Sequence, residues 1–104
     1  MSRTPIPKRL KEARDRVGLS QTELGVAAGM DPSGASPRMN QYERDRHVPD
    51  FQTVKRIAAV LGYPVPYFYA EDDDLAEILL HLGKMDDDAR STVLADLRKS
   101  ACRG

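Results

Sequence analysis

The chain has one cysteine, Cys102, so it can form no internal disulfide. A lone thiol near the end of the sequence suits a reducing compartment, and the expected location is cytoplasmic. No run of about 18 apolar residues occurs, which excludes a membrane-spanning helix. The opening stretch Met1-Ser2-Arg3-Thr4-Pro5-Ile6-Pro7-Lys8 has no apolar segment of the kind a secretory signal needs. Strand signal is almost missing, as are internal repeats and low-complexity tracts. No phosphate loop is present, and no nucleophile, base and orienting group can be assembled, so an enzyme is not expected. His47 and His81 are far apart in sequence, and neither has a partner at metal-ligand spacing. The acidic triplets Asp72-Asp73-Asp74 and Asp86-Asp87-Asp88 lack the alternating ligands and central glycine of a calcium loop, and helix capping explains them better. No metal, cofactor or small-molecule ligand is therefore expected.

What remains is a charged, helix-forming chain of 104 residues, enough for one modest core. Its net charge is zero, but the zero hides an asymmetry. Residues 1–63 hold 11 Lys and Arg against 7 Asp and Glu, a net of +4; residues 64–104 hold 5 against 9, a net of −4. That polarity suits a protein with one end facing a polyanion and the other repelling it.

Apolar periodicity divides the chain into helices. Pro7 to Val17 carries Leu10, Ala13, Arg14 and Val17 at helical spacing and stops at Gly18, a C′ glycine. Ser20 followed by Glu23 forms a capping box, flanked by Leu19 and Leu24 at the staple positions. The short helix it opens runs through Val26, Ala27 and Ala28 to Gly29. Asp31 to Pro37 is rich in turn formers, and Ser36-Pro37 reads as an N-cap followed by proline at the first helical position. The next helix carries Arg38 to Glu43. After the loop Asp45 to Pro49, Asp50 caps a helix with Phe51, Val54, Ile57, Ala58 and Leu61 on one face, ended by Gly62. Val65 to Tyr69 is a single turn or short helix whose aromatic residues fit a core. Beyond a weak boundary near Ala70–Asp74 comes an amphipathic pair. Leu75, Ile78, Leu79 and Leu82 mark one helix, and Val93, Leu94 and Leu97 the other, joined by Gly83-Lys84-Met85.

Between Gln21 and Tyr42 the residues meet the demands of two helices crossing steeply at a tight turn. A small residue, Gly25, stands mid-helix where the next helix passes, despite a cost of roughly 1 kcal/mol in helix propensity. Gly29 can take the positive φ of the turn. Leu24, Ala28, Met30 and Met39 are apolar and can fill the angle.

On these residues the chain resembles the lambda-repressor-like helix-turn-helix domain of the Cro/C1/Xre transcriptional regulators. The resemblance rests on Leu10-Lys11-x-Ala13-Arg14, Gly18-Leu19-Ser20-Gln21-x-Glu23-Leu24, Gly29, Tyr42-Glu43-Arg44, Pro49 and Ile57-Ala58-x-x-Leu61-Gly62, in the family's order from Leu10 through Phe68. It implies an all-α fold: a five-helix DNA-binding domain over residues 1–70, with residues 71–104 a C-terminal helical extension. It also implies double-stranded DNA as partner, usually bound by a dimer with the third helix in the major groove. About four residues more than the family usually has separate the turn glycine from Tyr42. The extra stretch, within Asp31–Pro37, either lengthens the recognition helix or forms a loop before it.

Within that frame Met39 and Tyr42 face the core, while Arg38 and Gln41, three apart, point outward. Arg38 can pair with guanine and Gln41 with adenine. Ser36 and Asn40 are flanking contacts. Gln21 and Thr22, opening the second helix, suit a phosphate, and Arg44 and Arg46 in the following loop are phosphate contacts. The C-terminal pair either caps the core or forms a homodimer interface that would match a palindromic operator. The expected function is a sequence-specific transcriptional regulator, most simply a repressor. The alternative is a protein-interaction module, an antitoxin or adaptor, on the same fold.

Overall fold

A computed structural model describes residues 3–103, with the side chain of Arg103 left aside. Met1, Ser2 and Gly104 lie outside the described residues, and with them the outer limits of the expected divisions 1–70 and 71–104. The described residues form six α-helices and one 3-10 turn, with no strand: α1 Ile6–Val17, α2 Gln21–Ala27, α3 Ala35–Glu43, α4 Phe51–Leu61, the 3-10 turn Val65–Tyr69, α5 Asp73–Lys84 and α6 Asp87–Arg103.

The helix ends follow local chemistry. The Ser20 hydroxyl accepts from the Glu23 N–H at 3.0 Å, and the Glu23 carboxylate accepts from the Ser20 N–H at 2.9 Å, completing the reciprocal cap of α2. Asp50 caps α4 through the Thr53 N–H, Asp72 caps α5 through the N–H groups of Asp74 and Leu75, and Asp86 receives the Ala89 N–H at the start of α6.

The core is built from α1 to α4 and the 3-10 turn. Ile6, Leu10 and Ala13 of α1 meet Leu24 of α2, Met39 and Tyr42 of α3, and Val54, Ile57, Ala58 and Leu61 of α4. Tyr67 and Phe68 close it from below, ring edge to ring face at 5.3 Å between centroids. Each fully buried side chain of this size contributes roughly 1.5–3 kcal/mol. Of the stripes expected on α1, α4 and α5, Val17, Phe51, Leu75 and Ile78 are exposed and outside this core. Val17 and Phe51 are the last residue of α1 and the first of α4, at the ends of their helices.

Arg9 is the largest buried side chain and escaped the hydrophobic pattern. It is 1% exposed, donates from Nε to the Ala70 carbonyl at 2.9 Å and from Nη2 to that of Glu71 at 3.2 Å, and pairs with Asp73 at 2.9 Å. It thereby ties α1 to the start of α5. Helix α5 rests on the core through Ala76, with Leu79 and Leu80 half-buried beside it. The expected joint Gly83-Lys84-Met85 narrows to its last residue, since α5 runs on through Lys84. Gly83 lies in its last turn, where a Cβ would stand 2.6 Å from the Pro64 ring. The break falls at Met85, whose backbone is extended (ψ 148°). Helix α6 then leaves the body: none of its described side chains is buried, and the described residues measure 54 × 30 × 22 Å.

Candidate nucleic-acid interface

The α2–turn–α3 unit is set by a close backbone approach. An ideal Cβ on Gly25 would lie 2.8 Å from Ala35 Cβ and 3.2 Å from Met30 Sδ, so only glycine lets α3 cross here. Gly29 makes the turn at φ +97°, a conformation that side chains with a Cβ rarely adopt.

The segment before α3 is a loop, and the helix begins earlier than expected. Asp31 Oδ1 accepts from both the N–H and the hydroxyl of Ser33, and the Gly34 N–H donates to the Asp31 carbonyl at 3.0 Å. These bonds hold Asp31 below its ordinary pKa, chiefly through the Ser33 side chain. Ser36 is not the N-cap. Gly34 occupies that position without a side-chain bond, and Ala35, buried under Gly25, is the first helical residue. Pro37 is tolerated inside the helix because the N–H groups of a first turn have no helical partner to lose. The extra residues therefore mostly form a turn rather than lengthen the helix.

Helix α3 presents three faces. Ala35, Met39 and Tyr42 are buried. Ser36, Asn40 and Glu43, at i, i+4 and i+7, face α1 and α2. Pro37, Arg38, Gln41 and Arg44 face solvent. The second face is a bonded network. Ser36 Oγ donates to Gln21 Oε1 at 3.3 Å, and Gln21 Nε2 donates to Asn40 Oδ1 at 3.4 Å and to Glu43 Oε1 at 3.2 Å. Arg14 grips Glu43 with two bonds, Nε to Oε2 at 2.6 Å and Nη2 to Oε1 at 3.0 Å, and its Nη1 donates to the Leu19 carbonyl. The Glu43 hydrogen bonds push the Arg14 pKa above its ordinary value. Arg14, expected in an apolar stripe, is therefore an ion-pair anchor. Glu43, which the sequence reading did not nominate, is its buried partner, with a side chain only 4% exposed. The available signal was a charge at core spacing on each of two helices.

The nominated residues thus separate. Gln21, Ser36 and Asn40 converge in the network. Thr22 stands exposed at the opening of α2, while Arg38 and Gln41 project from the solvent face. Arg44, exposed, donates from Nε to Asn40 at 3.3 Å, and Arg46 is exposed in the loop beyond. A shallow cleft of about 300 Å³ lined by Lys11, Arg14, Gln21, Asn40, Glu43 and Arg44 adds Lys11, a cation not nominated from sequence. The loop after α3 is pinned at Asp45, a left-handed residue (φ +60°). Its carboxylate receives the Arg3 N–H at 3.1 Å, and its carbonyl receives Arg3 Nη2.

Elsewhere, a polar cleft of about 460 Å³ between α1 and α5 is lined by Arg9, Glu12, Tyr67, Asp73, Glu77 and His81, among others. Its main polar groups are already paired: Arg9 with Asp73, and the Tyr67 hydroxyl with Glu12 at 2.6 Å. Burial first, and then that bond, raise the Tyr67 pKa. Among the described residues no three His, Cys, Asp or Glu side chains are grouped to hold a metal, and no helix is long and apolar enough to cross a membrane.

The helix-turn-helix family HTH_3 matches residues 10–68. The crystal structure of the transcriptional regulator BswR is similar to this chain, with a TM-score of 0.85 and 40% sequence identity over 95% of this chain and 99% of that one. No curated protein matches the chain.

Proposed function

The chain belongs to the Cro/C1-type helix-turn-helix family, and we propose that it is a DNA-binding transcriptional regulator that reads a palindromic operator as a homodimer, most simply as a repressor. The observation that carries this reading is the solvent face of α3. Arg38 and Gln41 are exposed side by side, and among the described residues their side chains take no hydrogen-bond or ion-pair partner. Their donors and acceptors are free for base edges in the major groove, Arg38 toward guanine and Gln41 toward adenine. Asn40 and Gln21, already bonded to each other, act as a positioned pair at the edge of that face. Lys11, Thr22, Arg44 and Arg46 supply phosphate contacts around it, fixing register without reading sequence. Residues 71–104 serve as the dimerisation element, and the negative charge around the start of α5 and α6 keeps that end off the DNA.

Selection of random duplex DNA by the purified protein tests the proposal. Enrichment of an inverted repeat, with Arg38→Ala or Gln41→Ala broadening the base preference within each half, is the expected result. No enrichment, together with retention that vanishes on modest addition of salt, overturns it and favours the protein-interaction reading.

A further inference from the structure

We infer that α6 is a self-pairing helix, lying antiparallel against α6 of a second copy across a two-fold axis near Leu94. This rests on the dimeric operator reading and supplies the contact surface which that reading requires.

Three observations converge on it. First, α6 is the longest helix, 17 residues and about 25 Å at 1.5 Å per residue, yet among its described side chains none is buried. Helices of this length are marginal in water on propensity alone; most draw their stability from a packed apolar face. Second, α6 carries such a face largely uncovered, with only Val93 on it half-buried. Val93, Leu94, Leu97 and Ala101 recur at helical spacing, and Leu94 and Leu97 are 46% and 57% exposed. The extended backbone at Met85 and the Asp86 cap direct the helix outward, so its own core cannot cover that face.

Third, the charge is segregated along the helix. The segregation is net: Asp86, Asp87 and Asp88 outweigh Arg90 at one end, and Arg98, Lys99 and Arg103 outweigh Asp96 at the other. A two-fold axis through the middle brings the acidic end of each helix beside the basic end of its partner and opposes their dipoles. Parallel pairing would set Asp against Asp and Lys against Lys. The surface is thus complementary to itself, which selects a second copy over an unrelated partner. The same distribution also favours the helix's own dipole, so cross-linking must fix the orientation.

Cys102 provides the probe. In the antiparallel pair the two Cys102 thiols lie at opposite ends, each near residue 87 of the other copy. Without DNA, the full chain is expected to sediment at twice 11.6 kDa. Leu94→Asp and Leu97→Asp are expected to weaken association at least tenfold while leaving the thermal unfolding of the core unchanged, because neither leucine belongs to it. Oxidised wild type is expected to give no disulfide dimer, whereas Asp87→Cys gives one whose peptide map joins positions 87 and 102. A monomeric wild type, a Cys102–Cys102 link, or a dimer that survives both leucine substitutions overturns the inference. A dimer with the expected cross-link that selects no DNA motif upholds the pairing and sinks the operator reading. A monomer that selects a half-site overturns the pairing and the dimeric part of the operator reading, and leaves base reading by α3 standing.

Discussion

Arg14 and Glu43, 29 residues apart, close a two-pronged ion pair at 2.6 and 3.0 Å that locks α1 to the end of α3. The pair has little access to water: the side chains are 13% and 4% exposed. Attraction in such a place is offset by desolvation, so the pair's net worth is modest, but breaking it strands a buried charge. Arg14→Ala is therefore expected to cost about 3 kcal/mol, and Glu43→Gln less, because the amide oxygen can still accept from Arg14, which is the more exposed partner and keeps its bond to the Leu19 carbonyl. Chemical denaturation of the two variants and their combination gives the coupling. If Arg14→Ala unfolds at the wild-type midpoint, the pair is not an anchor.

The crossing of α2 and α3 is tested at Gly25. Alanine is the better helix former by about 1 kcal/mol, so propensity alone predicts that Gly25→Ala stabilises. The 2.8 Å approach to Ala35 Cβ predicts the opposite, a loss of about 1–3 kcal/mol from overpacking. Adding Ala35→Gly removes one of the two colliding atoms and is expected to recover part of the loss. Both single and double variants need only a thermal melt, and a more stable Gly25→Ala would refute the contact.

The fold could be read from sequence wherever one residue type answers one local demand. The Ser20–Glu23 capping box, the Asp50 cap, the small residue at Gly25 and the turn at Gly29 all stand where their spacing placed them. Legibility failed where a long-range partner decides the outcome. Nothing local marks Arg9 as buried; it is buried because the carbonyls of Ala70 and Glu71 and the carboxylate of Asp73, more than 60 positions away, meet its guanidinium. Arg14 stands at core spacing, but Glu43, 29 positions away, makes it an ion-pair anchor rather than part of an apolar stripe. Ser36 looked like a cap because Ser-Pro has that signature, but Ala35 is drawn under Gly25 and starts the helix sooner. On α3, the outward placement of Arg38 and Gln41 follows from period alone. The fixing of Gln21 and Asn40 by Glu43 needs three helices in place.

Acid is expected to weaken the protein through its capping and ion-paired carboxylates. Hydrogen bonds from Lys8, then Arg9, hold Asp73 below its ordinary pKa; those from Thr53 do the same for Asp50, and those from the backbone and side chain of Ser20 for Glu23. A depressed carboxylate binds fewer protons folded than unfolded, so its contribution is complete above the unfolded value of about 4 and vanishes as pH falls through the folded one. The melting temperature is expected to be flat from about pH 5 upward on this account and to drop below about pH 4. Asp73→Asn is expected to lie below wild type at neutral pH and to converge with it at the acid end. A constant gap across the range would mean the ion pairs with Lys8 and Arg9 contribute nothing.

Salt tests the proposed division between residues that hold phosphates and residues that read bases. Each phosphate neutralised releases counterions, so the logarithm of the binding constant falls with the logarithm of salt at a slope of about −0.9 per contact on duplex DNA. Arg44→Ala and Arg46→Ala are each expected to flatten that slope by about 1 and to weaken specific and random duplexes alike. Gln41→Ala carries no charge change; it is expected to leave the slope intact and to lose about 1–3 kcal/mol only on the preferred sequence. Arg38 is the informative intermediate. A bidentate guanine contact predicts a loss of discrimination at one position with little change in slope, whereas a mere surface cation near the backbone predicts a flatter slope with discrimination intact. Its side chain is exposed on the same face as Gln41, and the first outcome is expected. The second would move the reading surface of α3 away from Arg38 and leave Gln41 to carry it.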